Sequence, residues 1–504
     1  MWQRFTFDDV LTVGHYLGVL TTFFSFAFVA PFVTAILCQE WEPMLRYLMS
    51  GGIALTLGTL LRLMKVSPGR LTHQQAMAVT GLAWLFLAMI AAIPLYLSGH
   101  YASHLDALFE GVSGLTTTGA SLVVDLEHMA FADNMWRFVL HFIGGLGLIV
   151  VALALGLMGS GTSGLYSSEG RSDHVLPNIV STTRLIGGIS LVVIAVAAVF
   201  LSLFCLASGM EPIRAFFNAL WIAISGFMTA GFAPTSQSVS YYHSYPLELV
   251  CMVLMLLGSI SFALLVEVWK GRTKNFFQDI EVRVGVIWIV TATVVFMASL
   301  AASDSFSGLP ELLRRGVFMV ISAMSTTGFS VITGNQMVTC LSSGALLILI
   351  LLMAIGGSSG STAGGMKLMR VGIVAKSLVS TVKETMAPEN ARVSVVYRHL
   401  GRHVLSTDLA RSAMTVSTLF VLTYVLGALA GVACGYDAIS AIFDSVSMAS
   451  NGGLSAGVVS TGMPAPLELI YILEMWAGRL EFVTLIALLA KIVMTVIPRR
   501  RGDR

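Results

Sequence analysis

The sequence predicts an all-α polytopic membrane protein: four span–pore helix–span repeats around one central pore, preceded by two further spans. Three observations predict it. Hydrophobic residues fill 56% of the 504 positions and charged residues 11%, against roughly 25% charged in a soluble domain. Ten apolar stretches have the ~20 residues that a helix needs to cross the ~30 Å hydrocarbon layer. A short glycine-bearing stretch occurs four times in one register.

Those stretches read TTTGAS at Thr116–Ser121, MTAGFA at Met228–Ala233, STTGFS at Ser325–Ser330 and SNGGLS at Ser450–Ser455. Aligning Gly119, Gly231, Gly328 and Gly453 brings a serine six residues before each (Ser113, Ser225, Ser322, Ser447). An aromatic stands ten before (Phe109, Trp221, Phe318, Phe443), and a small residue twelve before (Ala107, Ala219, Gly316, Ala441). Shared offsets in four copies argue for an internal repeat, whereas one small-residue stretch would signify only close helix packing.

The predicted spans are roughly 12–38, 44–64, 77–97, 137–158, 185–207, 246–268, 284–302, 343–372, 412–434 and 468–497. After the first two they pair, with a glycine stretch between the members of each pair. The resulting units are two N-terminal spans at 1–70, pore repeat 1 at 71–160, repeat 2 at 161–270 and repeat 3 at 271–385. Repeat 4 and a basic C-terminal tail fill 386–504. Before each glycine runs a short apolar segment such as Leu105–Leu115 or Ala438–Met448. At ~11 residues it makes a helix of only ~16 Å. It therefore fits a re-entrant helix that enters and leaves on one side.

Lysine and arginine set the expected orientation. Alternate connections carry Arg62, Lys65 and Arg70; Arg171 and Arg184; Lys270, Arg272, Lys274 and Arg283. The longest holds Lys376, Lys383, Arg392, Arg398, Arg402 and Arg411, and the tail reads RRRGDR. These connections and both termini are expected in the cytoplasm, in a multi-pass inner-membrane protein. The opposite connections carry mostly acids (Glu40, Glu42, Asp125, Glu127, Asp133, Asp304, Asp437), with Arg214, Arg314 and Arg315 as exceptions. The glycine stretches belong to that outer side. Met1–His15 shows no cleavable signal pattern. The five cysteines are far apart and lack a CxxC pair, which favours plain packing roles.

Non-helical backbone survives at membrane depth only where it lines an aqueous cavity or is buried in protein. Four such loops on one side suggest a shared cavity. Glycine reaches positive φ without penalty, which lets carbonyls face a common axis, and rings of carbonyl oxygens replace the hydration shell of an alkali ion. The hydroxyls of Thr116, Thr117, Thr118, Thr229, Thr326 and Thr327 add oxygen ligands or pin the loops. No carboxylate falls inside the four stretches, which argues against a divalent site. Asp106, Glu110, Glu311, Asp437 and Asp444 are expected to give the outer mouth a negative field.

Two features further along the chain stand out. Gly356, Gly357, Gly360, Gly364 and Gly365 crowd into AIGGSSGSTAGGMK, Ala354–Lys367. Each costs about 1 kcal/mol in a helix, so the eighth span should break there and put a loop below the glycine stretches. The run does not match a phosphate-binding loop, because Met366 separates Gly365 from Lys367 and Leu368 follows. In the tenth span, MWAGRLE places Arg479 near mid-membrane, with Glu481 two residues on and Glu474 five before. An intramembrane charge is a functional candidate by default. It can pair with a carboxylate or with loop carbonyls, or project into the cavity as a barrier to cations.

Together these features resemble the Trk/Ktr/HKT superfamily of potassium transporters, in its TrkH-like branch. The carriers of the resemblance are the four glycine loops, the Gly-rich break Ala354–Lys367, the GRLE segment within Met475–Glu481 and the two extra N-terminal spans. The resemblance implies potassium uptake through a filter made of Thr117, Thr118 and Gly119; Thr229, Ala230 and Gly231; Thr326, Thr327 and Gly328; Asn451, Gly452 and Gly453. It implies a gate at Gly356, Gly357, Gly360, Gly364, Gly365, Lys367 and Arg479. Potassium would be the bound and transported ion, with no organic cofactor in this chain. The implied partners are membrane lipid, a second copy in a homodimer and a cytosolic TrkA-like nucleotide-binding regulatory subunit, with no nucleic acid. Lys367–Arg411 is the basic connection on which a cytosolic subunit would dock. The fourth loop departs from the pattern, because Asn451 and Gly452 stand where the others carry a Thr-type pair. Two alternatives are weaker. A secondary transporter, either a cation symporter or an organic solute carrier working by alternating access, predicts inverted repeats, whereas these repeats run parallel. An enzyme needs a metal cluster or nucleophile–base pair within the spans, and none is apparent.

Overall fold

The computed structural model describes residues 6–64, 66, 71–123, 125–147, 179–301, 308–388 and 394–496. Residues 148–158 of the expected fourth span, Lys65, Arg70, Arg171, Asp304, Arg392 and the RRRGDR tail lie outside them.

The N-terminal pair comprises α1 (Phe7–Ser25), a 3₁₀ turn at Phe26–Phe28, α2 (Val29–Leu37) and α3 (Trp41–Arg62). Thr6 starts α1 with a capping box, its side chain accepting from Asp9 N while Asp9 bonds back to Thr6 N. α1 and α3 pack backbone to backbone through glycines. A Cβ at Gly58 would lie 2.6 Å from Thr22 N, and one at Gly18 would lie 2.8 Å from Gly58 O. In lipid, where apolar tails compete equally for apolar side chains, such close approach is a main source of helix adhesion.

Repeat 1 contains α4 (His73–Leu97), the short α5 (His104–Leu115) and α6 (Phe131–Leu146). Repeat 2 contains α7 (Ile179–Ala207), the short α8 (Pro212–Phe227), then α9 (Tyr245–Ser259) and α10 (Phe262–Trp269). A short α11 (Thr273–Gln278) leads into repeat 3. That repeat contains α12 (Ile280–Ala301), the short α13 (Leu309–Met324), α14 (Gly334–Cys340), α15 (Ser343–Ile355) and α16 (Leu368–Met386). A hairpin of β1 (Val396–Arg398) and β2 (Arg402–Val404) follows, antiparallel with Tyr397 opposite His403. Repeat 4 contains α17 (Thr407–Ala433), the short α18 (Ala438–Ala449), α19 (Ala465–Arg479) and α20 (Val483–Val496). Apart from the three-residue strands, the described fold is helical, as the composition predicts.

Among the described residues, six helical stretches are long and apolar enough to cross a membrane: Phe7–Leu37, Trp41–Arg62, Gln74–Leu97, Arg184–Ala207, Ile280–Ala301 and Thr407–Ala433. They include the N-terminal pair and the leading span of every repeat. The trailing spans differ. The sequence predicts one continuous span at 246–268, but α9 and α10 meet at 103°. The break has a tertiary cause. Ser358 N donates to Ser259 O at 2.9 Å, and Phe262 N donates to Gly360 O at 3.3 Å, so the Gly-rich loop takes over the hydrogen bonds at the kink. The expected break in the eighth span is present, with Ile355 and Leu368 ending the helices on either side. The tenth span, read as continuous, also breaks just after Arg479, where Glu481 and Phe482 take φ of 55° and 63°.

The short helix of each repeat turns its aligned aromatic into the protein interior. The aligned aromatics Phe109, Trp221, Phe318 and Phe443 are all buried. Three trailing spans press a glycine on the last carbonyl of their short helix. A Cβ at Gly144 would lie 2.0 Å from Leu115 O, one at Gly258 2.1 Å from Phe227 O and one at Gly478 1.9 Å from Ala449 O. These contacts lie where the short helices of repeats 1, 2 and 4 end and their glycine loops begin.

Candidate ion-conducting site

In all four loops the chain leaves the short helix in the same way. The residue two before each aligned glycine is left-handed, with φ of 56° at Thr117, 47° at Thr229, 51° at Thr326 and 56° at Asn451. A non-glycine residue adopts this conformation at a cost of roughly 1–2 kcal/mol. The glycines follow at 80°, 85°, 91° and 69° for Gly119, Gly231, Gly328 and Gly453. The residue before each glycine donates its N–H back to the serine six before that glycine: Thr118 to Ser113 O, Ala230 to Ser225 O, Thr327 to Ser322 O and Gly452 to Ser447 O, at 2.7–3.0 Å. The offsets seen in the sequence are therefore real equivalences in backbone geometry.

The loops close into a ring. A Cβ at Gly119 would lie 2.1 Å from Ala230 O, one at Gly231 2.3 Å from Thr327 O, one at Gly328 2.7 Å from Gly452 O and one at Gly453 2.0 Å from Thr118 O. Each glycine thus abuts the carbonyl before the next repeat's glycine, in the cyclic order 1, 2, 3, 4, 1. Any side chain at these positions enters space held by a neighbouring carbonyl.

The ring is not fourfold in chemistry. Ser113 Oγ donates to Ala120 O at 2.7 Å and Ser322 Oγ to Phe329 O at 2.6 Å, clamping the residue after the glycine in repeats 1 and 3. The Ser225 and Ser447 hydroxyls are buried with no partner among the described residues. Thr116 and Thr118 hydroxyls share a bond at 2.8 Å, as do Ser325 and Thr327 at 2.7 Å. In repeat 4, Asn451 Nδ2 instead donates to Thr118 Oγ1 and to Met475 O, both at 3.0 Å. The amide thus ties the fourth loop to the first and to α19.

Two acids expected at the outer mouth lie behind the ring. Glu110 is fully buried and accepts from Arg137 Nε at 2.9 Å, Ser121 Oγ at 3.0 Å and Leu122 N at 3.2 Å. Asp444, also fully buried, accepts from Ser455 Oγ and from the backbone of Ala456, Val458 and Val459 at 2.6–3.0 Å. Both stand nine residues before their glycine and brace the chain just after it. Both contribute positioning, and the charge of Glu110 is offset by its ion pair with Arg137. Asp437 caps α18, Asp106 completes the capping box of Ser103 at the start of α5, and Glu311 pairs with Arg315 at 3.0 Å. Arg137, which no sequence motif marks, is fully buried and stacks 4.1 Å over Phe232.

Directly below the ring lies the Gly-rich loop, in register with the left-handed residues. Thr362 Oγ1 contacts Thr229 Oγ1 at 2.9 Å and Gly258 O at 2.9 Å. Gly364 N donates to Thr326 Oγ1 at 2.6 Å. Gly364 packs on repeat 4, since a Cβ there would lie 1.9 Å from Ser450 O. Gly356 and Gly365 hold the two arms of the loop together: a Cβ at Gly356 would lie 2.1 Å from Gly364 O, and one at Gly365 2.8 Å from Gly356 Cα. Gly357 rests on Ala363, and Gly360 accepts the α10 bond described above. Lys367 is left-handed at φ 78°, buried, and its ammonium donates to Ala363 O.

Arg479 joins a third left-handed ring residue to this loop. Its guanidinium donates to Thr117 Oγ1 at 3.0 Å, to Thr362 O at 3.2 Å and to Gly144 O, and lies 5.6 Å from the Trp84 ring. Arg479 thus binds a loop carbonyl and also lines a cavity. That cavity, about 40 Å³, is bounded by Gly360, Ser361, Ala363, Gly364, Lys367, Asn451 and Arg479 among others. One water needs ~10–15 Å³, so it holds a few waters and no hydrated ion. Glu481 pairs with Arg370, and Glu474 accepts from Ser445 Oγ at 2.9 Å.

The TrkH family model, a cation transport protein, matches residues 48–495. The chain belongs to the TrkH family. Its similarity to an uncharacterised cation transporter of Methanocaldococcus jannaschii is 32% identity, covering 97% of each protein. It is 29% identical to the Trk system potassium uptake protein TrkH of Halomonas elongata and 27% identical to that of Escherichia coli K12, with 94% of this chain and 96% of each relative covered. The crystal structure of the potassium transporter TrkH from Vibrio parahaemolyticus superposes with a TM-score of 0.81 at 24% identity, over 96% of this chain and 99% of that one. The TrkH family resemblance seen in the four loops is thus confirmed over nearly the whole chain, and with it a transporter in place of an enzyme.

Proposed function

We propose that the chain is the pore subunit of a potassium uptake system, in which K⁺ crosses the ring of glycine loops and is controlled below it. The observation that carries this reading is the closed ring: four loops of matching backbone, each glycine against the next repeat's carbonyl. Alternating left-handed residues with others turns successive carbonyls towards one side, the arrangement that replaces the water around an alkali ion. The ligand set is Thr117, Thr118 and Gly119 with Thr229, Ala230 and Gly231, Thr326, Thr327 and Gly328, and Asn451, Gly452 and Gly453. Relatives named potassium uptake proteins support K⁺ as the cargo.

The gate is the Gly-rich loop, Gly356, Gly357, Gly360, Gly364 and Gly365 with Lys367, together with Arg479. Support comes from its hydrogen bonds to three of the four left-handed ring residues and from the narrow cavity that it bounds. The basic connections and both termini face the cytoplasm, where Lys367–Arg411 docks a TrkA-like subunit and the chain works as a homodimer.

The test is alkali-cation flux in proteoliposomes holding the purified protein. K⁺ and Rb⁺ uptake well above Na⁺ uptake is the expected result. Absence of any alkali-cation flux, with the protein monodisperse and inserted, overturns the reading.

A further inference from the structure

Away from the ring, on the lysine- and arginine-rich side, three potential metal ligands converge from two separate elements. A carboxylate oxygen of Asp279, one of Glu281 and a ring nitrogen of His399 all lie within 4.8 Å of one another. Asp279 immediately precedes α12 and Glu281 is in its first turn, while His399 comes from the turn of the β1–β2 hairpin 120 residues later. Both carboxylates are fully buried and His399 is 11% exposed.

Two carboxylates buried side by side repel, and burial deprives each of water. Such a pair persists by sharing a proton or by holding a cation between its members, and the neighbouring imidazole supplies a third ligand for a cation. A donor set of two carboxylates and one imidazole matches a first-row divalent cation of the zinc or manganese kind. It is too small and too nitrogen-bearing for calcium, which takes six to eight oxygens. One ligand pair already has this spacing: Asp279 Oδ2 and His399 Nδ1 stand 3.1 Å apart, and ligands at ~2.0 Å from a tetrahedral zinc lie about 3.3 Å apart. The surroundings orient the donors. Asp279 Oδ1 accepts from Glu281 N at 2.9 Å and Oδ2 from Leu400 N at 3.2 Å.

The structure assigns to Asp279, Glu281 and His399 a binding site for a divalent transition-metal cation that clamps the β1–β2 hairpin to the start of α12. The clamp reaches the Gly-rich loop, because Glu281 Oε1 also accepts from Ser359 N at 2.7 Å. This last link, a bearing on transport, rests on the reading of that loop as a gate; the metal site does not.

The experiment uses the purified full-length protein, stripped with a chelator, and Zn²⁺ alone as the probe. Binding is read by calorimetry, and hydrogen exchange of residues 394–405 is followed with and without Zn²⁺. The expected result is one more equivalent bound by the wild type than by His399→Ala or Glu281→Gln, each variant losing at least about 10-fold in affinity at this site. Zn²⁺ should slow exchange of the hairpin in the wild type alone. Each variant is compared with the wild type in elution and melting without metal. Asp279→Asn provides a second route should one of them fail to fold. Equal Zn²⁺ binding by wild type and variants overturns the site, as does a wild type that binds none; the His399–Asp279 contact is then an ion pair only. Zn²⁺ binding is scored without any flux measurement, so a failure here is distinct from a failure of the gate.

Discussion

Gly119→Ser lowers the K⁺ over Na⁺ flux ratio by about 10-fold or more, equivalent to ~1.4 kcal/mol of lost discrimination. The cause is steric. A Cβ at this position would stand 2.1 Å from Ala230 O and 2.6 Å from Gly231 Cα. Carbon and carbonyl oxygen normally approach to about 3.3 Å, so the repeat 2 carbonyl must retreat by roughly 1 Å. A carbonyl displaced that far no longer matches the distance set by its three counterparts, and the ring loses its fit to one ion. The serine hydroxyl also offers a water-like ligand that a smaller ion accepts. Backbone strain is a second cost, because serine at φ 80° is in the left-handed region. Gly99→Ser separates the two effects. Gly99 has φ 77° but nothing within 4 Å of a Cβ, so its serine variant carries the strain without the clash and should keep the wild-type flux ratio. An unchanged ratio in Gly119→Ser would remove the glycine ring from the selectivity mechanism.

Arg479→Ala raises basal K⁺ flux, measured in proteoliposomes without any cytosolic subunit. A cation passing ~5 Å from a guanidinium at an effective dielectric of ~20 meets a barrier of about 3 kcal/mol, or roughly 100-fold in rate. Removing the charge should recover a good part of that factor. The substitution also releases Thr117 Oγ1, Thr362 O and Gly144 O from their shared donor, which loosens the Gly-rich loop. Shortening that loop by deleting residues between Gly356 and Gly365 should raise flux in the same direction, since Thr362 and Gly364 hold it against the ring. If both changes abolish flux while elution and melting stay wild-type, the loop and Arg479 support the pore and do not gate it.

Some of this architecture was legible in the sequence and some was not. The four loops were, because glycine at positive φ and the serine six residues earlier impose fixed local offsets. The interrupted eighth span was legible for the same local reason, five glycines in ten residues. The kink at Ser259–Ser261 was not, because Ser-Ile-Ser is no helix breaker; its cause is the hydrogen bonding offered by Ser358 and Gly360, some hundred residues away. The break after Arg479 likewise follows from a packed neighbour, with Gly478 pressed on Ala449 O. Glu110 and Asp444 were read as mouth charges from their place before the loops. A helical register alone does not tell the face turned to solvent from the face turned to Arg137. The uneven chemistry of the ring was foreseen at Asn451, while the alternation of clamped and unclamped serines depends on hydroxyl direction, which no offset encodes.

If the glycine ring binds the ion, the anomalous scattering of Rb⁺ in crystals grown with Rb⁺ in place of K⁺ locates it there. Peaks are expected on the ring axis, level with the carbonyls of Thr118, Ala230, Thr327 and Gly452 and of the glycines that follow them. Ordered Rb⁺ found only elsewhere, or a ring with no peak at an Rb⁺ concentration that saturates transport, would contradict it.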